Sequence, residues 1–290
     1  MTATVRRVAV IGAGTMGRGI AYVALVAGCD VALADADRDA LLAAHDRIAA
    51  LFEGAIARGK LSPADRDAAL ARLSTFPALE EAARDSDLLI EAVPERIELK
   101  RALFSAAYVA APPHAVLASN TSSLSISAIA AAVPQPERVI GMHFFNPVPA
   151  MRLVELVRGA ATSDATVASA RAFVSLLGKT PIVVTDSPGF ATSRLGVALG
   201  LEAIRMLEAG VASAADIDRA MELGYNHPVG PLRLGDIVGL DVRLAIADHL
   251  HAALGSEVFR APELLRRMVA EGRLGQKSGR GFYEWEQGAG

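Results

Sequence analysis

The stretch that most constrains this chain is Val8-Ala9-Val10-Ile11-Gly12-Ala13-Gly14-Thr15-Met16-Gly17, an apolar run broken by glycines before apolar residues resume at helical spacing. It calls for a buried strand, a tight turn and a helix, in that order. Gly12 lets the chain leave the strand, Gly14 leaves room for backbone to approach a pyrophosphate, and Gly17 lets the helix pack against the sheet. The helix, expected from about Thr15 to Ala27, would aim its unpaired N–H groups and positive dipole end at phosphates. Gly12, Ala13, Gly14, Thr15, Met16 and Gly17 are therefore the candidate phosphate-binding residues. A second apolar strand, Val31-Ala32-Leu33-Ala34, ends in Asp35, 18 residues past Gly17. An acid there takes the ribose hydroxyls and repels a 2′-phosphate, so the expected cofactor is NAD rather than NADP. Arg38 is the one neighbour able to soften that preference.

At 290 residues, 52% of them hydrophobic, the chain has the material for two domains and a large core. A net charge of −3 without a basic block argues against nucleic acid as a partner. The single cysteine, Cys29, excludes an internal disulfide and suits a reducing cytoplasm. The chain runs through Thr4, Arg6 and Arg7 straight into the first strand, so no cleavable leader is expected. No apolar stretch reaches the ~18 residues needed to span a bilayer, so a soluble cytoplasmic protein without a membrane partner is expected.

After Asp35, apolar residues at helical intervals predict a helix from about Arg38 to Gly59. Ser62-Pro63 then caps a second helix over Ala64 to Leu73, giving a helical hairpin off the sheet. Short apolar strands follow at Leu88-Leu89-Ile90, Val116-Leu117-Ala118, Val139 to Met142, Met151 to Val157 and Ile182-Val183-Val184. Helices over Glu95 to Ala110 and Asp164 to Leu177 separate several of them. The alternation predicts an α/β fold of the Rossmann type, a mostly parallel doubly wound sheet with ligands beyond the carboxyl ends of its strands. Past Asp186-Ser187-Pro188-Gly189 only helices are read: Phe190 to Glu208, Ala214 to Leu223, Leu232 to Leu254 and Pro262 to Glu271. The expected domains are 1–186, a dinucleotide-binding unit, and 187–290, an all-α C-terminal unit. The tail Gln287-Gly288-Ala289-Gly290 reads as loose.

Of six histidines, His143 stands apart, because it ends the strand Val139 to Met142 at the sheet edge where such folds bind ligands. Its ordinary pKa near 6.5 lets it accept a proton at neutral pH. In the next strand Glu155 alternates onto an apolar face with Met151, Leu153 and Val157, where a carboxylate needs a partner or a wet sheet edge. A short Asn146-Pro147-Val148-Pro149 turn joins the two strands, so a His143–Glu155 dyad is expected. In it the carboxylate orients the ring and stabilises its protonated form. The polar loop Ser119-Asn120-Thr121-Ser122-Ser123 offers hydroxyl and amide groups to a substrate oxygen or a nicotinamide. Ser123 or Ser125 there equally serves to cap the helix that follows.

With these residues in hand, the chain resembles the L-3-hydroxyacyl-CoA dehydrogenase family over nearly its whole length. The likeness extends to Asp186-Ser187-Pro188-Gly189-Phe190, His227-Pro228-Val229-Gly230-Pro231-Leu232 and Lys277-Ser278-Gly279-Arg280-Gly281-Phe282-Tyr283. The resemblance implies NAD-dependent, reversible oxidation of a (3S)-3-hydroxyacyl-CoA to the 3-oxoacyl-CoA. It implies His143 as base, Glu155 as its acidic partner, and Ser122 and Asn146 as residues that position substrate and nicotinamide. By the same resemblance Asn120, Glu95, Lys100 and Lys277 are cofactor contacts, and Lys60 meets the CoA phosphates. Ser193 stands where family members often carry asparagine, which leaves a substrate contact there in doubt because serine reaches less far. The helical C-terminal part is similar to the family's dimerisation domain and implies a homodimer. Two other functions share these features: a dehydrogenase of a free hydroxy or sugar acid, gulonate among them, and a non-catalytic NAD-binding structural protein.

Overall fold

The computed structural model describes residues 5–286; the tail from Gln287 to Gly290 lies outside the described residues. The chain divides into two compact units, Met1–Ser187 and Pro188–Gly290.

In the first unit eight strands form one sheet. They are β1 (Arg7–Ile11), β2 (Asp30–Ala34), β3 (Leu73–Phe76), β4 (Leu88–Glu91), β5 (Val116–Ser119), β6 (Val139–Phe144), β7 (Leu153–Arg158) and β8 (Thr180–Thr185). Their order is β3-β2-β1-β4-β5-β6-β7-β8, parallel throughout except between β6 and β7. Every residue of β4, β5 and β6 is buried, which is why these strands read as unbroken apolar runs. The helices of this unit are α1 (Thr15–Val26), α2 (Arg38–Ala57), α3 (Pro63–Leu70), α4 (Leu79–Ala83), α5 (Ile97–Ala110), α6 (Ile126–Ala130) and α7 (Asp164–Leu176). The chain winds outward from β1 to β2 and then resumes on the other side of β1 with β4. The winding therefore reverses between β1 and β4, and a crevice opens at their carboxyl ends.

Two expectations are corrected here. The helix over Ala64 to Leu73 stops at Leu70, and Leu73-Ser74-Thr75-Phe76 instead pair in parallel with Val31 to Ala34 as the edge strand β3. Four residues, two of them exposed and polar, carry too little alternation to be read as a strand. His143 likewise does not follow its strand: β6 continues through Phe144. The start of α3 is as the sequence indicates, with Ser62 and Asp65 forming a reciprocal capping box and Pro63 in the first turn. The α2–α3 hairpin packs against α1, where Phe52 meets Tyr22 edge to face at 4.7 Å between ring centres.

The second unit contains α8 (Thr192–Glu208), α9 (Ala214–Tyr225), α10 (Pro231–Val238), α11 (Leu240–Leu254) and α12 (Glu263–Ala270) around a core that includes Leu201, Ile204, Leu240, Leu250 and Leu265. The single helix expected from Leu232 to Leu254 is in fact two. Gly239, with φ of +102°, breaks it while the apolar spacing runs on. The fully buried Asp236 explains where the break falls. Its carboxylate accepts hydrogen bonds from the amides of Phe282 and Tyr283 and from the Trp285 indole, tying α10 to the end of the chain.

Candidate active site

The glycine turn behaves as the sequence requires. Gly12 has φ of +106°, and a Cβ on it would lie 2.7 Å from the Ala92 carbonyl oxygen. A Cβ on Gly17 would stand 1.7 Å from the Gly12 carbonyl oxygen, so α1 can approach the turn only without a side chain there. Gly14 differs: beyond its chain neighbours, none of the described residues lies within 4 Å of its missing Cβ. It opens instead onto a cavity of about 780 Å³ at the carboxyl ends of β1, β2 and β4. Gly14 is also the N-cap of α1 and makes no side-chain cap, so the first amides of that helix can meet an anion. The loop thus has both the room and the donors that a dinucleotide's pyrophosphate needs.

Asp35 stands at the far end of this cavity with Asp37 and Glu80. Its carboxylate accepts from the amides of Ala13, at 2.7 Å, and Asp37, at 2.9 Å, which fixes it beside the loop. A ribose 2′-phosphate here would face three carboxylates, whereas Arg38 is exposed and does not line the cavity. Leu79, Leu99 and Leu103 supply an apolar wall suited to an adenine.

A second cavity, of about 360 Å³, shares Met16, Ala92 and Val93 with the first and lies at the carboxyl ends of β5 and β6. It gathers Glu95, Asn120, Ser122, His143 and Asn146, five of the residues picked out in the sequence. His143 and Glu155 are direct partners across the antiparallel β6–β7 pair, so their side chains share a face. The imidazole Nδ1 lies 2.8 Å from Glu155 Oε2, with His143 7% exposed and Glu155 0%. A carboxylate accepts only, so Nδ1 carries the proton and the lone pair is placed on Nε2. Phe145 packs against the ring at 4.3 Å between centres. Asn120 Oδ1 accepts from the Phe144 amide at 2.9 Å, joining the polar loop to the histidine strand. Ser125, as the capping alternative required, accepts from the Ala128 amide at the start of α6.

Beneath this cavity lies a polar cluster that the sequence did not disclose. Glu91, at the end of β4 and 0% exposed, accepts from the Val93 amide, the Ser119 hydroxyl and the Lys100 ammonium at 2.6 to 2.7 Å. Lys100 is itself 1% exposed, and its Nζ also lies 3.2 Å from Glu95 Oε2. The structure therefore gives Lys100 a place inside the protein, clamped between two carboxylates, rather than on the cavity surface. Glu95 in turn accepts from the Thr121 hydroxyl and from the amides of Ser122 and Ser123, holding the loop that carries Ser122. Burial alone pushes the Glu95 carboxyl up. The Thr121 hydroxyl, the Lys100 charge and the Ser122 amide outweigh it and hold the group below its ordinary value. An acid closing an apolar strand, with a lysine nine residues on inside a helix, was the signal available for Glu91.

Three further candidates lie elsewhere. Lys60 is exposed in the turn after α2. Ser193 is the second residue of α8, in the second unit. Lys277 pairs with Asp241 of its own unit at 2.6 Å.

Fold and site together define a nicotinamide-dependent oxidoreductase of the Rossmann class, with a histidine–carboxylate pair beside the cofactor crevice. Comparison with known proteins takes this further. Residues 7–187 match the NAD binding domain of 3-hydroxyacyl-CoA dehydrogenase, and residues 189–285 match its C-terminal domain. The chain belongs to the 3-hydroxyacyl-CoA dehydrogenase family. It is 44% identical over 283 residues to a probable 3-hydroxybutyryl-CoA dehydrogenase of Bacillus subtilis, covering 98% of each chain. It is 43% identical to the 3-hydroxyadipyl-CoA dehydrogenase of Escherichia coli, covering 98% of this chain and 60% of that one. Its fold matches the crystal structure of (S)-3-hydroxybutyryl-CoA dehydrogenase from Ralstonia eutropha with a TM-score of 0.94 at 41% identity, covering 98% of this chain and 100% of that one.

Proposed function

We infer that the protein oxidises short-chain (3S)-3-hydroxyacyl-CoA, 3-hydroxybutyryl-CoA above all, reversibly to the 3-oxoacyl-CoA. The observation that carries the reading is the 2.8 Å contact of the buried Glu155 with His143, which lines a cavity that shares Met16, Ala92 and Val93 with the glycine-loop crevice. Gly12 to Gly17 would hold the pyrophosphate of NAD, Asp35 its ribose, and Glu95, Asn120, Ser122 and Asn146 line the end where its nicotinamide belongs. Bound there, NAD supplies a hydride acceptor. His143 Nε2 takes the proton of the substrate's 3-hydroxyl, and the electrons of that O–H bond become the second C–O bond as the C3–H pair departs as hydride. Glu155 stabilises the imidazolium so formed and keeps Nε2 aimed at the substrate oxygen. Ser122 and Asn146 donate hydrogen bonds that orient the reacting groups. Lys60 is assigned to the CoA phosphates and Ser193 to the substrate. Lys277 is assigned to the cofactor, with donors to spare beside Asp241.

The test is His143→Gln. It should bind NADH as the parent does and lose oxidation of 3-hydroxybutyryl-CoA by about 10²- to 10⁴-fold; parental turnover would end the proposal. Free 3-hydroxybutyrate and gulonate, assayed beside the thioester, decide between this reading and a free-acid dehydrogenase. The relative named for 3-hydroxyadipyl-CoA makes a ladder of thioesters the measure of chain length.

A homodimer through the second unit is part of the reading. Leu195, Leu199, Leu234, Ile237, Val238 and Val242 are large apolar side chains left open to solvent on α8, α10 and α11. Light scattering giving the mass of one chain would remove it. Among the described residues no helix is long and apolar enough to cross a membrane. Cys29 is buried and its thiol is pushed up to about 11 by that burial, which suits an unreactive cysteine in a reducing cytoplasm.

A further inference from the structure

The loop between β6 and β7 carries Asn146 into the cavity beside His143. Its turn is closed locally, with the amides of Ala150 and Met151 both donating to the Pro147 carbonyl at 3.0 Å. Two fastenings from outside the loop complete it. Val148, 2% exposed, drops its side chain onto α1 at Gly19, where a Cβ would stand 2.8 Å from the valine Cβ. Lys179, in the turn before β8, brings its ammonium to 2.6 Å from the carbonyl oxygens of both Val148 and Met151.

This lysine, like Arg138 elsewhere in the first unit, is spent on backbone carbonyls. It is half-buried, and among the described residues no carboxylate pairs with it. Its charge is directed wholly at two carbonyls of one loop. Charge-assisted hydrogen bonds of this kind are stronger than neutral ones, and two converging on one nitrogen fix a loop in position as well as in place. The backbone of β8 reinforces the geometry, since the Thr180 amide next to Lys179 donates to Arg152 at 2.7 Å, at the far end of the same loop.

We propose that Lys179 is a positioning residue of the active site: by gathering the Val148 and Met151 carbonyls it sets Asn146 against the nicotinamide end of the cofactor cavity. The inference rests on the reading of the site given above. Its test uses cofactor binding alone and is therefore independent of the acyl-CoA substrate. NADH would occupy both cavities, whereas ADP-ribose, which lacks the nicotinamide, would occupy only the one built by the glycine turn and Asp35.

Lys179→Met should weaken NADH by about tenfold and ADP-ribose by less than about twofold, as the loss of one oriented hydrogen bond would do. Lys179→Arg, which keeps the cation and its donors, should hold both affinities near the parental values. In an Asn146→Ala background the lysine substitution should add nothing further for NADH, because residues acting through one contact are not additive. Should Lys179→Met fail to fold, Lys179→Gln, which keeps a neutral donor, must show the same split in smaller measure. Equal weakening of both ligands, no weakening of either, or additive losses in the double variant would each overturn the assignment.

Discussion

Replacing Glu155 by glutamine tests the site most sharply, because it removes one charge while leaving nearly the same shape. The carboxylate is 0% exposed and lies 2.8 Å from the imidazole, so solvent screens the pair little. Opposite charges centred ~4 Å apart attract by ~4 kcal/mol at an effective dielectric of ~20. A glutamine carbonyl still accepts from Nδ1, which retains about 1 kcal/mol of that interaction. The remaining ~3 kcal/mol is lost only when the ring becomes positive, as the substrate proton arrives. It therefore falls on the transition state, where each 1.36 kcal/mol is tenfold in rate. The expected result is a kcat lower by about 10²-fold, with NADH affinity unchanged because Glu155 does not line the cavity. Steady-state appearance of NADH with 3-hydroxybutyryl-CoA measures the forward loss. With cofactor affinities unchanged, kcat/KM for reduction of the 3-oxoacyl thioester must fall by the same factor as kcat/KM for oxidation, since the equilibrium constant belongs to the reactants. Turnover within about threefold of the parent, in a variant with parental melting temperature, would mean that the buried carboxylate does not stabilise a charged ring, and the dyad argument would fail.

Gly17→Ala places a methyl 1.7 Å from the Gly12 carbonyl oxygen, which α1 relieves only by shifting; NADH titration should show loss of binding, and parental affinity would contradict the packing argument. The Glu95 carboxyl is held below its ordinary 4.5, so it contributes stability above that pH and loses it as the pH falls through the lower folded value. Melting temperatures of Glu95→Gln should accordingly decline less steeply than the parent's below pH 4.5, and parallel curves would refute the linkage. Arg243 in α11 is 5% exposed, its guanidinium is pushed down to about 10 by burial, and its Nε has no hydrogen-bond partner among the described residues. Arg243→Met should therefore stabilise the second unit by about 1 kcal/mol or more. A lower urea midpoint would show instead that the arginine's packing outweighs its desolvation.

Much of this protein is legible along the chain because its signals are local. Val8 to Gly17 encodes strand, turn and helix within ten residues, and Ser62-Pro63 with Asp65 encodes a helix start within four. The His143–Glu155 contact was legible for the same reason, since a short connection forces the two strands into register. Glu91 and Lys100 were harder. Each residue type is ordinary where it stands, and only the stacking of β4, β5 and α5 puts them in one buried cluster with Ser119. Leu73 to Phe76 went unread as a strand because an edge position demands little apolar alternation. The break at Gly239 was hidden because the apolar spacing continues through it, and the tie from Asp236 to Phe282 and Tyr283 spans more than forty residues.

By itself, the sequence determined the class of fold, the cofactor and the pairing of His143 with Glu155, each through residues close enough along the chain for backbone geometry to relate them. Tertiary structure alone decided that Lys100 serves an internal ion cluster, that Lys277 is engaged by Asp241, and that Lys179 reaches the loop of Asn146. Those are contacts of charged groups between distant segments. A long flexible side chain has many candidate partners in sequence, and only burial, by making an unpaired charge costly, selects one.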